Sequence, residues 1–142
     1  MKIFVDANIL VAVLNKEYPL YSNAARILSL ADERKHTLVT TAICLAIAFY
    51  FAEKKHGTTQ AKKKITMLAQ HMEIAYCGTD EVTRAAADKR VHDFEDGLEY
   101  YAAIHSGCNC IVTENREDFY FSLLEVLDAD QFLKKYIVRN KY

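Results

Sequence analysis

The sequence predicts an α/β fold, a three-layer α/β/α sandwich built on a parallel sheet. Short apolar segments typical of strands alternate along the chain with longer segments whose apolar residues recur at helical spacing. No Gly/Pro/Ser-rich linker and no internal repeat interrupts the alternation, so residues 1–142 are expected to form one domain. Because strands that are separated by helices cannot pair as hairpins, they favour a parallel sheet covered by helices on both faces.

The first half of the chain contains two predicted strands and four predicted helices. In order, these are a strand over 2–5, helices over 8–15 and 21–33, a strand over 37–39, and helices over 42–52 and 58–71. Pro19 separates the first two helices. The segment 42–52 is almost continuously apolar and ends at the polar run 54–57, which predicts a central helix buried on most of its faces.

The second half continues the alternation. In order, its predicted elements are a strand over 73–77, a helix from 79 to about 91, a helix over 94–106, strands over 110–113 and 125–127, and a helix from about 130 that leads to the tail 139–142. Residues 78–80 cap the helix that begins at 79, and Gly107 ends the helix over 94–106. Asp93 is the expected N-cap of the helix over 94–106, where the positive end of the helix dipole stabilises its carboxylate.

Composition limits the possible functions. The chain has 142 residues, of which 51% are apolar, enough to bury a core without disulfides. Its formal net charge of −1 gives no global basic field, so a nucleic-acid partner would depend on local basic patches. Asp6 interrupts the first apolar segment and no apolar run approaches membrane-spanning length, so we expect a cytoplasmic protein without a membrane partner.

The four cysteines predict no metal finger. Cys108 and Cys110 form a C-x-C pair rather than C-x-x-C, and no histidine lies at finger spacing from either. Cys44 and Cys77 stand alone among apolar residues. Reduced structural thiols are therefore expected, and the five histidines share no metal-binding spacing either.

Carboxylates follow separate apolar segments and carry the main functional signal. Asp6 comes directly after the first strand, Asp118 follows the strand over 110–113, and Asp96 lies in the run Asp93-Phe-Glu-Asp96 at the start of a helix. Side chains at the carboxyl ends of parallel strands converge on one crevice. Clustered acids repel one another unless a cation lies between them, so these residues predict a divalent-metal site.

Several neighbours are candidates for support at this site. Asn8 is an expected cap of the first helix, whereas a cap does not explain Asp6. Asp96 and Glu99 are three residues apart and project from one face of their helix, with Glu99 in a supporting or a solvent position. The loop after the strand over 110–113 offers Thr113, Asn115 and Asp118, and the apolar Phe119 is expected to anchor it.

Three segments together resemble a PIN domain of the compact bacterial or archaeal type found in VapC toxins. They are Ile3-Phe-Val-Asp-Ala-Asn-Ile-Leu10, Asp93-Phe-Glu-Asp-Gly-Leu-Glu-Tyr-Tyr-Ala-Ala103 and Ile111-Val-Thr-Glu-Asn-Arg-Glu-Asp-Phe119. Each segment alone is weakly specific, but their order along nearly the whole chain is jointly specific. The resemblance implies a Rossmann-like sandwich and a ribonuclease that depends on Mg²⁺ or Mn²⁺.

The resemblance also implies roles for individual residues. Asp6 and Asp96 match the metal-binding aspartates of the family, and Asp118 matches the acid after the fourth strand. Thr113 and Asn115 match polar positions that support this acid. Members of the family tend to dimerise, and the aromatic side chains expected on such a face are Tyr18, Tyr21 and Phe49.

One position departs from the family pattern. PIN nucleases commonly carry a glutamate in the helix after the second strand, and the matching position here is Ile47, which cannot bind a metal. Two hypotheses stay open: a metal-dependent endoribonuclease that is the toxin of a toxin-antitoxin pair and cleaves single-stranded or structured RNA, and a weakened PIN domain that binds RNA or a protein. A phosphotransfer receiver or phosphatase fits less well, because these need adjacent acids after the first strand and Asp6 stands alone.

The sequence gives the least information on which residues contact the substrate. Arg116 is the cationic residue nearest to the predicted acids along the chain, and we expect it to contact the substrate. A basic stretch occurs at Lys54, Lys55, Lys62, Lys63 and Lys64. A solvated helix face explains this stretch better than a nucleic-acid contact does.

Overall fold

A computed structural model describes residues 1–138 and contains a five-stranded sheet, all of whose strand pairs are parallel. The strands are β1 (Lys2–Val5), β2 (Thr37–Thr41), β3 (Glu73–Ala75), β4 (Cys110–Val112) and β5 (Glu125–Leu127). Their order in the sheet is β3-β2-β1-β4-β5. The three-layer α/β/α sandwich with a Rossmann-like sheet is therefore confirmed.

Seven α-helices connect and follow the strands of the described region. They are α1 (Ala7–Leu14), α2 (Leu20–Ser29), α3 (Ala42–His56), α4 (Thr58–Gln70), α5 (Thr79–Ala87), α6 (Phe94–His105) and α7 (Ala129–Phe132). Short 3-10 helices cover Leu30–Asp32 and Arg116–Phe119, and a π-helical turn covers Leu133–Ile137. The predicted tail 139–142 lies outside the described residues.

The strand order places the functional crevice. From the central strand β1, the chain builds outward to β2 and β3 and then returns to β4 on the other side of β1. Ile3 lies opposite Leu38 of β2 and opposite Cys110 of β4. At such a switch point the connections leave neighbouring strands in opposite directions, which opens a crevice at their carboxyl ends.

The prediction that the apolar helix is buried on most of its faces is wrong. In α3 the buried residues are Cys44, Ala48 and Ala52, which are spaced four apart and form one stripe. Tyr50 and Phe51 are exposed on the other side. Leu45, Ile47 and Phe49 are half-buried against the core, so the exposed side chains are confined to the remaining side of the helix.

Two predicted helices end earlier than expected. The segment from 21 to 33 leaves the α-helix at Ser29 and continues as a 3-10 helix. The helix expected to reach residue 91 ends at Ala87, because Asp88 takes an extended conformation and accepts hydrogen bonds from the Tyr101 hydroxyl (2.7 Å) and from the Arg90 backbone and guanidinium. Local side-chain bonding of this kind competes with helix continuation.

The cysteines of the described region are free thiols, as predicted. Burial raises the pKa of Cys108 to about 11 and that of Cys110 to about 12, so both thiols are protonated at neutral pH. Within residues 1–138, the helices are too short or too polar to span a membrane.

The end of α6 provides a test of backbone strain. Gly107 has a φ of +74°, a backbone conformation that is strained for other residues. An added Cβ would meet no atom within 4 Å, so a substitution would cause backbone strain but no steric clash. Gly107→Ala should lower the free energy of unfolding by about 1 kcal/mol. Gly107→Asn should cost less, because asparagine tolerates the left-handed region better. Urea unfolding measures both, and an alanine variant as stable as the unmodified protein would contradict the prediction.

Candidate active site

Asp6 lies at the centre of the crevice, and it is the residue that caps α1. Its backbone N–H donates to the carbonyl of Val112 in β4 (3.1 Å), which fixes the end of β1 against β4. Its Oδ1 accepts from the N–H of Ala7 (2.6 Å), and its Oδ2 accepts from the Thr113 hydroxyl (2.8 Å). The expectation that Asn8 is the cap is therefore wrong, because Asp6 occupies the extended position before the first helical residue.

Asn8 instead ties α1 to the loop after β4. Its side-chain amide donates to the Thr113 hydroxyl oxygen (3.1 Å) and approaches Oδ2 of Asp6 (3.4 Å), while its Oδ1 accepts from the N–H of Glu114 (3.2 Å). The same Thr113 oxygen accepts from the N–H of Asn115 (3.1 Å). Asp6 is thus held by hydrogen bonds from two sides before any ligand binds.

The N-terminus of α6 brings Asp96 to the same crevice. Asp93 caps this helix, as predicted, and accepts from the N–H groups of Glu95 (2.9 Å) and Asp96 (3.4 Å). Burial raises the pKa of Asp96 to about 7, and the neighbouring carboxylates of Asp93, Asp118, Asp6 and Glu95 add to the shift. Such a shift on a half-buried carboxyl in a cleft is typical of functional sites.

Asp118 reaches the crevice on the 3-10 helix Arg116–Phe119. Phe119 is 1% exposed and anchors this turn in the core, as predicted. Asn115 and Asp118 line the crevice. Arg116 is exposed on the same turn, but it is not among the residues that line the crevice.

The crevice is a cleft of about 520 Å³ with a mixed lining. Six acidic residues of the described region line it: Asp6, Glu17, Asp93, Glu95, Asp96 and Asp118. Apolar side chains also line it, among them Tyr18, Ile47 and Phe51. No lysine or arginine within residues 1–138 lines it. So much uncompensated negative charge in one cleft fits a divalent cation, for which carboxylates are the preferred ligands.

Glu99 lies behind Asp6 and not in solvent. It is 1% exposed, and its Oε1 accepts from the Cys44 thiol (2.6 Å). One ligand atom each from Asp6, Cys44 and Glu99 lies within 4.8 Å of the others, the only such trio of acids, cysteines or histidines found in the described chain. The predicted trio of Asp6, Asp96 and Asp118 shares one cleft but is more widely spaced.

Sequence reasoning missed Cys44 as a neighbour of this site. Its thiol was interpreted as one more apolar position of the helix, and in part it is one, since Cys44 is fully buried. Burial and the charge of Asp6 raise the pKa of the Cys44 thiol, so it is protonated and donates to Glu99. The available signal was its position one helical turn before Ile47.

The model of the family described as "PIN domain" matches residues 2–117, most of the chain. The chain belongs to the PIN-domain family. Among its relatives, Ribonuclease VapC1 of Aquifex aeolicus (strain VF5) is 27% identical over an alignment of 142 positions that covers 95% of each chain. This PIN domain is of the VapC-like type, in agreement with the resemblance of its three segments.

Solved structures agree on the fold of this PIN domain. The structure of VapBC2 from Rickettsia felis, bound to a DNA fragment from its promoter, matches with a TM-score of 0.67, 21% identity and coverage of 90% of this chain and 98% of the other. VapC20 of Mycobacterium tuberculosis, named as a Sarcin-Ricin loop cleaving toxin, matches with a TM-score of 0.60 at 17% identity over 77% of this chain and 86% of its own. At these identities the likeness shows the fold alone.

The position where PIN nucleases commonly carry a glutamate does face the site. Ile47 lines the cleft from α3, so this helix contributes an aliphatic side chain there. The carboxylates that line the cleft come instead from the end of β1, the connection between α1 and α2, the start of α6 and the loop after β4.

Proposed function

We propose that this PIN domain is a metal-dependent endoribonuclease that cleaves single-stranded or structured RNA and is the toxin of a toxin-antitoxin pair. The observation that carries the proposal is the cleft of six carboxylates without a lysine or arginine within the described chain, at the switch point of the sheet. The similarity to Ribonuclease VapC1 supports RNA as the substrate.

In this proposal Asp6, Asp96 and Asp118 hold Mg²⁺ or Mn²⁺. The bound ion would stabilise charge on the scissile phosphate and lower the pKa of an attacking water. Asp6 is suited to this role because the backbone of Ala7 and the hydroxyl of Thr113 already orient its two oxygens. Asp118, exposed on a turn that Phe119 anchors, would bind a second ion or accept a hydrogen bond from the water.

Substrate binding is assigned to the mouth of the cleft. Arg116 is exposed between Asn115 and Asp118. In this proposal its guanidinium binds a phosphate next to the scissile one. Lys54, Lys55, Lys62 and Lys63 are exposed on α3 and α4 and do not line the cleft, which favours the interpretation of this stretch as a solvated face.

The proposed partners are an antitoxin and a second copy of the chain. The structural similarity to VapBC2 supports an antitoxin, and a neighbouring short reading frame for a small DNA-binding protein would favour it further. Tyr18 is 71% exposed and packs on Tyr21, with ring centroids 5.2 Å apart, and Phe49 is half-buried on α3. Light scattering on the purified chain tests the homodimer.

Cleavage of RNA under metal control tests the proposed activity. We expect purified protein to cleave a fluorescently labelled single-stranded RNA with Mg²⁺ or Mn²⁺, to stop in excess EDTA, and to resume when Mn²⁺ exceeds the chelator. The arrest in EDTA excludes a metal-independent contaminating ribonuclease, and the restoration step shows that the arrest comes from removal of the metal. Full cleavage in EDTA, or RNA binding without cleavage at any metal concentration, would reject the proposal.

A further inference from the structure

The buried Glu99 carboxyl has one oxygen without a partner. Oε1 accepts from the Cys44 thiol, but Oε2 is inaccessible to solvent and has no hydrogen-bond partner among the described residues. A buried acceptor left unpaired costs about 1–3 kcal/mol, and a charged one costs more. Such groups are rare in folded proteins and call for a specific reason.

The surroundings of Glu99 point to a cation. The ligand atoms of Asp6, Cys44 and Glu99 lie within 4.8 Å of one another, so the second carboxylate lies directly behind the one at the centre of the cleft. A divalent ion beside Asp6 would remove the repulsion between these two carboxylates and would give Oε2 a partner.

The side chains that α3 contributes explain why this position matters. Helix α3 presents Ile47 to the cleft and contributes no carboxylate there. One turn earlier the same helix presents Cys44, whose thiol holds Oε1 of Glu99 and leaves Oε2 free. Glu99 of α6 therefore provides a buried acid beside Asp6, whereas α3 provides no acid to the cleft.

We propose that Glu99 is the buried carboxylate of the metal site, in place of the acid that α3 lacks at position 47. Glu99 binds the ion together with Asp6 from the sheet side, while Asp96 and Asp118 approach from the cleft. The inference rests on the proposed metal-dependent function, since it concerns the same ion.

Calorimetric titration of Mn²⁺ into the intact chain tests this assignment without any substrate. Glu99→Gln keeps the shape of the side chain and an acceptor for the Cys44 thiol, but it removes the charge. We expect it to weaken Mn²⁺ binding by about 10- to 100-fold. The double variant Glu99→Gln/Ile47→Glu places a carboxylate in the cleft from α3 and should recover most of the lost affinity.

Glu117→Gln is the matched control, because Glu117 is an exposed acid on the 3-10 helix that does not line the cleft. It should bind Mn²⁺ as the unmodified protein does. Wild-type affinity in Glu99→Gln would show that Glu99 is only structural. An affinity lost in Glu99→Gln and not recovered by Ile47→Glu would also overturn the inference.

The two proposals fail in different ways. Metal-dependent RNA cleavage combined with normal Mn²⁺ binding by Glu99→Gln would overturn the role of Glu99 and leave the nuclease intact. Mn²⁺ binding that depends on Glu99, in a protein that cleaves no RNA, would support the role of Glu99 and reject the nuclease.

Discussion

Replacing Asp6 by asparagine should reduce RNA cleavage by at least about 1000-fold while the protein stays folded. The substitution removes the charge at the centre of the cleft, where Asp6 meets Asn8, Thr113 and the buried Glu99. Asparagine caps helices about as well as aspartate, so α1 should keep its start. A loss of activity would then result from the change at the site and not from unfolding. Initial cleavage rates with saturating Mn²⁺ measure the effect, and circular dichroism checks the fold.

Asp128→Asn is a matched control for this experiment. Asp128 caps α7 by accepting from the N–H of Gln131 (2.8 Å), and it does not line the cleft. Asp128→Asn also replaces a capping aspartate by asparagine, but it should leave the cleavage rate unchanged. Cleavage by Asp6→Asn at the wild-type rate would contradict the proposed mechanism.

Replacing Asp96 by asparagine should stabilise the metal-free protein at pH 8. Because burial raises the pKa of Asp96 from 3.8 to about 7, the folded protein holds a proton that the unfolded chain releases between these values. The cost of ionising Asp96 is therefore absent below about pH 4, grows as the pH rises, and is complete above pH 7. Since the side chain is only partly buried, solvent screening reduces the cost to about 1–2 kcal/mol.

Urea unfolding of both proteins in EDTA, at pH 8 and at pH 4, measures this difference. The variant should be more stable at pH 8 and nearly equal at pH 4. Added Mn²⁺ should reverse the order at pH 8, because an ion bound only by the folded wild type stabilises it. A variant that is less stable than the wild type at pH 8 in EDTA would show that the Asp96 carboxylate is not strained.

The features predicted correctly from the sequence depend on short segments of chain. The alternation of apolar strands with helices was enough to place Asp6 and Asp118 at neighbouring strand ends, because parallel strands direct their carboxyl ends to one edge. Phe119 was identified as an anchor because an apolar residue stands alone in a polar loop. The cap at Asp93 follows from a pattern of only a few residues.

The features that sequence reasoning missed depend on packing between distant helices. The contact between Cys44 and Glu99 joins α3 to α6 across 55 positions, and neither residue has a local pattern that predicts it. The exposure of Tyr50 and Phe51 has the same origin, since hydropathy does not tell which side of an apolar helix finds a neighbour. The cap of α1 is Asp6 and not Asn8, and the sequence did not distinguish the two because both residue types cap helices about equally well.

The acidic lining of the cleft also bears on how substrate enters. A nucleic-acid backbone that approaches the cleft without a bound ion meets negative charge and no lysine or arginine of the described chain in the lining, so it is repelled. A divalent ion would offset part of that charge and weaken the repulsion. In the proposed function the ion therefore favours entry of the polyanion as well as the later chemistry, and the metal-free protein should bind RNA more weakly.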